Sequence, residues 1–301
     1  MIDARFITAV GTPLTGDDAL CVEGLAEHLD DQADAGIDGL LVAGTMGLMP
    51  LLSDATWRDL VKHSVALSRG RFELLVGATD LSTRRALDRI DYLNGIVGID
   101  GVVIMAPGGM FKFTPQQYLD YFTTLADASK QPLFLYDLEP LTGVHLSVDT
   151  VCRLAEHRNI AGIKLSANVP EAARLQGRLA GSSCRLIVAE PALSDMLFRH
   201  GYREQLDGIY AIAPHWAVRL VESAKRESWD EAARWQSKLT AIKEIFLTHP
   251  LGPAFTALMN LRGIRGTFAP HPLGGPDDSQ LAALKALPIV TELLDQTTRK
   301  I

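Results

Sequence analysis

The sequence is short of the features that mark several classes of protein. Its 301 residues hold only three cysteines, Cys21, Cys152 and Cys184, far apart along the chain. That spacing gives no disulfide framework and no thiolate metal set; each cysteine reads as a small core residue. No Lys/Arg run stands out and the net charge is −7, so the basic face that nucleic-acid phosphates require is missing. No apolar run reaches the roughly 18 residues of a membrane span. The opening MIDARFITAV carries acid and lacks the apolar stretch and cleavage site of a signal peptide, so a cytoplasmic setting is expected. The turn VGTPLTG at 10–16 lacks the glycine spacing that holds a dinucleotide. The eight histidines are scattered, with neither a metal set nor a Ser-His-Asp arrangement.

What is present is a regular alternation. Apolar residues make up 47% and charged ones 22%, enough for a large core. Eight short apolar runs are candidate strands: 6–12, 39–44, 73–79, 101–106, 132–138, 160–166, 184–190 and 208–213. They are nearly continuous in apolar character, as strands buried on both faces are. Amphipathic stretches lie between them, with helix starts at Ser53-Asp54, Ser82-Thr83, Thr114-Pro115 and Ser147. Eight βα units in a row predict a closed (β/α)8 TIM barrel over 1–215, its eighth helix following to about 226. Helices at 215–248, 251–263 and 278–296 then predict a helical extension over 227–301, packed on the barrel.

Catalytic groups of such barrels lie at the C-terminal ends of strands. Lys164 stands inside the otherwise apolar run Ile160–Ser166. Burial disfavours the ammonium form of a lysine, and a neutral amine can attack a ketone to form an imine. The alternative is a lysine whose stem packs while its amine reaches outward. Tyr136, one strand earlier, could relay protons or simply fill the core. Gly44-Thr45-Met46-Gly47 could aim backbone N–H groups at a carboxylate or be a plain turn. Glu190 and Tyr210, at the last two strands, are candidate substrate contacts; Glu190 could equally cap the following helix.

Together the segments Gly44–Gly47, Tyr136–Gly143 and Gly162–Ser166 resemble the dihydrodipicolinate synthase / N-acetylneuraminate lyase family of class I aldolases. The resemblance runs from about residue 4 to about 295 and includes Ala9–Pro13 and Pro270–Leu273. It implies a barrel with a helical C-terminal extension, assembled as a homotetramer or homodimer. It implies a lyase acting on a 2-oxo acid, pyruvate plus an aldehyde or a 2-keto-3-deoxy sugar acid, with no cofactor beyond the lysine imine. Lys164 matches the Schiff-base lysine, Tyr136 the proton-relay tyrosine and Thr45 the threonine that extends the relay. Gly44, Met46 and Gly47 match the turn that holds the substrate carboxylate. Five departures stand out. Leu165 replaces an acidic residue beside the lysine, and Met46 replaces a hydroxyl. Asp137 and Glu139 replace the asparagine and proline after the tyrosine. Leu141 replaces an arginine that clamps a second carboxylate in dihydrodipicolinate synthases, and the loop 107–113 offers Met110, Phe111 and Phe113 in place of a tyrosine pair. The expected protein is therefore an aldolase of another substrate, with Glu190 and Asp80 or the Phe/Met loop facing a neutral aldehyde. A catalytically impaired barrel that binds a small ligand or regulates is the alternative.

Overall fold

A computed structural model describes residues 3–109 and 111–298. Its eight strands are β1 (Arg5–Ala9), β2 (Gly39–Val42), β3 (Glu73–Gly77), β4 (Gly101–Met105), β5 (Leu133–Asp137), β6 (Ile160–Ser166), β7 (Arg185–Ala189) and β8 (Glu204–Asp207). They run parallel in chain order and close into a barrel. Closure pairs β8 with β1, from Arg5 opposite Glu204 to Thr8 opposite Asp207.

Alternation along each strand divides the core in two. Phe134 and Tyr136 of β5 point into the barrel with Ile7, Leu75 and Leu206. Leu133 and Leu135 point outward to the helical layer, as do Ile163 and Leu165 of β6. Lys164, between that last pair, is therefore turned inward. Leu165 is 1% exposed, so the residue that departs from the family's acid is packed beneath helices.

The floor of the barrel is charged. Arg185 of β7 bonds Glu204 of β8, its Nε 2.9 Å from Oε1, and also bonds Glu73 of β3, which meets Arg5 of β1. Burial alone would raise the Glu73 carboxyl, but Arg185 and Arg5 outweigh it and hold it below its usual range. This network explains the one misplaced strand. The apolar run 208–213 suggests β8, yet residues Ile209–Ile212 form a helical turn and the strand is Glu204–Asp207. A polar strand is tolerated because Arg185 pairs Glu204 and the Gln205 amide donates to the Ser194 carbonyl at 2.9 Å.

Side-chain caps start the helices at the expected places. Ser53, Ser82, Thr114 and Ser147 each accept an N–H from three residues on. The expected helix 215–248 is two, Pro214–Lys225 and Trp229–Thr248, broken where Glu227 adopts φ 58°. The stretch 278–296 is likewise two, Asp278–Lys285 and Pro288–Thr298, with Pro288 opening the second. The long helix Trp229–Thr248 packs on Pro214–Lys225 and also contacts Pro288–Thr298. Among the described residues no helix is long and apolar enough to cross a membrane.

Candidate active site

A cavity of about 440 Å³ opens at the C-terminal ends of the strands, with Lys164 in its lining. A surface groove of similar size lies between the outer helices, lined by Asp34, Trp216 and Trp235 among others, and no strand residue reaches it.

Lys164 is 5% exposed. Its Nζ donates to the Ser166 Oγ at 3.0 Å and sits 3.7 Å from the centre of the Tyr136 ring. The register makes this contact: Tyr136 of β5 pairs directly with Lys164 of β6. The Tyr136 hydroxyl in turn lies 3.1 Å from the Thr45 Oγ1 at the end of β2. Amine, phenol and threonine thus form one short line across three strands. Tight backbone contact holds the turn that carries Thr45. Ala43 takes φ 53°, and a Cβ on Gly77 of β3 would fall 2.0 Å from the Ala43 carbonyl oxygen. Thr12 donates to the Gly47 carbonyl at 2.8 Å. Gly44 and Gly47 shape this turn from behind, while Thr45 and Met46 face the cavity. Met46 lies over Gly208, where a Cβ would stand 2.2 Å from its Cε.

Glu190, at the end of β7, does not cap a helix. Its Oε1 accepts from the Lys243 Nζ at 2.9 Å, and Lys243 belongs to the helix Trp229–Thr248. Asp207, at the end of β8, also lines the cavity. Its Oδ1 accepts the Ile209 N–H at 3.0 Å. Burial pushes its carboxyl up, against the pull of that N–H and of Lys164 and Lys243. Leu141 is 64% exposed at the mouth.

Several expected contacts fall elsewhere. Tyr210 is fully buried behind the barrel wall; its ring stacks on Phe6 at 4.0 Å and its hydroxyl bonds Ser194 at 2.9 Å, so it offers nothing to a substrate. The misplaced eighth strand had put it at a strand end. Asp80 is taken by Arg85, at 2.6 Å, and by the Ser82 N–H, away from the cavity. Phe113 packs against Tyr118 and Tyr121, and Phe111 projects to solvent. Met110 lies outside the described residues. The apolar wall comes instead from Met46, Phe246 and Leu251. Nothing along the chain marks Lys243, Phe246 or Leu251 for the site, because the side that a helix of the extension presents to the cavity depends on how it docks. Asp207 fell one residue outside the expected strand.

The model of the dihydrodipicolinate synthetase family matches residues 3–288. A 4-hydroxy-tetrahydrodipicolinate synthase of Gluconacetobacter diazotrophicus is 28% identical over 284 residues, 93% of this chain and 95% of that one. Two solved structures share the fold. YagE, a prophage protein of the dihydrodipicolinic acid synthase family from E. coli K12, in complex with pyruvate, superposes with a TM-score of 0.87 at 22% identity, covering 99% of both chains. A variant of the Sulfolobus solfataricus 2-keto-3-deoxygluconate aldolase reaches 0.86 at 19% identity, over 98% of this chain and 97% of that one. Because the family model covers nearly the whole chain, the chain belongs to the dihydrodipicolinate synthetase family and is a class I, Schiff-base-forming lyase.

Proposed function

We propose that the protein is an aldolase that joins a 2-oxo acid such as pyruvate to an uncharged aldehyde, or cleaves the corresponding 2-keto-3-deoxy acid. The carrying observation is the inward Lys164 amine against the Tyr136 ring, with the Tyr136 hydroxyl 3.1 Å from Thr45. The Lys164 amine adds to the ketone and water leaves, giving an imine that draws electrons from C3. Tyr136 and Thr45 move the protons of these steps. The enamine carbon then attacks the aldehyde, and hydrolysis of the imine returns the lysine. The lysine imine is the electron sink in this reading, and no further cofactor enters it.

Leu141 at the mouth supports a substrate other than aspartate semialdehyde, since leucine cannot make the bidentate contact an arginine makes to a carboxylate. Glu190 and Asp207 line the same cavity and offer no fixed cation of their own to a second carboxylate. The names of relatives lean both ways, towards dihydrodipicolinate synthesis and towards 2-keto-3-deoxygluconate; Leu141 favours the second. The intact Lys164–Tyr136–Thr45 line counts against a barrel that has lost its chemistry. Assembly as a homodimer or homotetramer belongs to the same reading, supported by Leu51, Leu81 and Phe111, each more than half exposed after β2, β3 and β4.

Exchange of pyruvate methyl protons with D2O, followed by NMR, tests the enamine without an aldehyde. Exchange that depends on the protein is expected. No exchange with any of a panel of 2-oxo acids would overturn the proposal.

A further inference from the structure

An aldol addition moves a second proton, at the oxygen of the aldehyde. The Lys164–Tyr136–Thr45 line draws on β6, β5 and β2. The same cavity also holds a set of Asp207 and Glu190, at the ends of β8 and β7, with Lys243 of the helix Trp229–Thr248. Two of its members are already engaged with each other: Lys243 Nζ lies 2.9 Å from Glu190 Oε1. Among the described residues the Asp207 carboxyl is engaged through its Oδ1, by the Ile209 N–H, and it stands half-buried against the cavity.

We propose that Asp207 is the acid–base group for the second substrate, giving its proton to the aldehyde oxygen as the carbon–carbon bond forms and taking it back in cleavage. This rests on the aldolase reading above and adds a residue to it. In the forward step the enamine electron pair makes the new bond at the aldehyde carbon. The carbonyl π pair moves to oxygen, and that oxygen takes the proton from the Asp207 carboxyl. In reverse, the Asp207 carboxylate removes the hydroxyl proton while the bond electrons return to the enamine. No other reactant is needed.

The charges facing Asp207 suit the task. Lys164 from β6 and Lys243 from the helix Trp229–Thr248 attract the carboxylate, while Glu190 from β7 repels it; the buried Tyr210 hydroxyl lies behind. Burial dominates and keeps the carboxyl above the usual carboxylate range, nearer the pH at which a group can both give and take a proton. Lys243 is engaged by Glu190, and among the described residues no ion pair to Asp207 within 4 Å is seen.

The test compares two half-reactions in the full-length protein: pyruvate methyl exchange in D2O, and condensation of pyruvate with glycolaldehyde, glyceraldehyde and benzaldehyde. Asp207→Asn keeps an oxygen for the Ile209 N–H and removes the proton. It should lose roughly 10²-fold in condensation, the usual worth of a positioned acid, and at least ten times less in exchange. The wild-type fall in condensation as the pH rises through the Asp207 range should vanish in the variant. Equal losses in both reactions, or an unaltered condensation rate, would overturn the assignment. So would wild-type exchange without condensation of any aldehyde in the set. Absence of exchange in the wild type overturns the aldolase reading instead.

Discussion

The hydroxyls of Thr45 and Tyr136 lie 3.1 Å apart although 91 positions separate them in the chain. One stands at the end of β2 and the other in β5, and the barrel brings both to the rim above Lys164. A phenol in that contact can pass a proton to a second oxygen without moving. Tyr136→Phe should keep the fold, since the ring still packs, and lower kcat by roughly 10²-fold. Thr45→Val should act in the same direction and to a smaller extent. Steady-state rates beside a circular dichroism melt check this; an unchanged kcat in Tyr136→Phe would remove the tyrosine from the chemistry.

Leu141 makes a prediction about choice of substrate. An arginine at this exposed rim position would offer two N–H donors to a carboxylate, which leucine cannot. The unmodified protein should condense pyruvate with neutral aldehydes in preference to aspartate semialdehyde, judged by kcat/KM. Leu141→Arg should move the ratio back by on the order of 10-fold, the worth of one exposed charge-assisted contact. Efficient condensation with aspartate semialdehyde by the unmodified protein would contradict the reading of Leu141.

Asp137 ties stability to pH. Its carboxyl is 1% exposed and pushed up by burial, with the Leu146 N–H and His145 pulling it down. His145 Nδ1 lies 2.8 Å from Asp137 Oδ2, and the other ring nitrogen 3.3 Å from Glu171. A carboxyl whose folded pKa exceeds its unfolded value costs stability as the pH rises through that interval. His145→Ala removes a group that favours the charged form, so the cost grows. The variant should lose about 1–3 kcal/mol at neutral pH. The deficit should shrink as the pH falls through the raised range towards about 4, the unfolded value. Urea melts across that span measure it; a deficit that grows on acidification would contradict the account.

Gly77 should tolerate no side chain. A Cβ there would meet the Ala43 carbonyl oxygen at 2.0 Å, and that oxygen belongs to the backbone carrying Thr45. Gly77→Ala should cost about 1–3 kcal/mol, as overpacking does, and lower kcat by displacing Thr45 from Tyr136. A variant with wild-type melting and kcat would contradict this.

The barrel was legible because parallel strands buried on both faces leave continuous apolar runs, and seven of the eight runs overlap true strands. The eighth was missed for a physical reason: Glu204–Asp207 is polar and survives on the Arg185 pair and the Gln205 bond, neither visible along the chain. Tyr210 followed that error into the expected site. The Lys164–Tyr136–Thr45 line was legible through the family resemblance, since each residue alone also fits a core or turn role, and the β5–β6 register sets the first two side by side. Lys243 was not, because it lies in the extension, whose helices reach the cavity only through tertiary docking. Asp137 could be flagged as a departure, but its partner His145 lies in a loop whose course no periodicity predicts.

The Schiff base itself can be caught directly. The full-length protein is incubated with pyruvate and borohydride, digested, and its peptides mapped by mass. A reduced pyruvate adduct on Lys164 alone, absent from Lys164→Arg, is the result predicted by a lysine 5% exposed with its amine against the Tyr136 ring. An adduct on Lys243 in place of Lys164, or none with any 2-oxo acid tried, would contradict it.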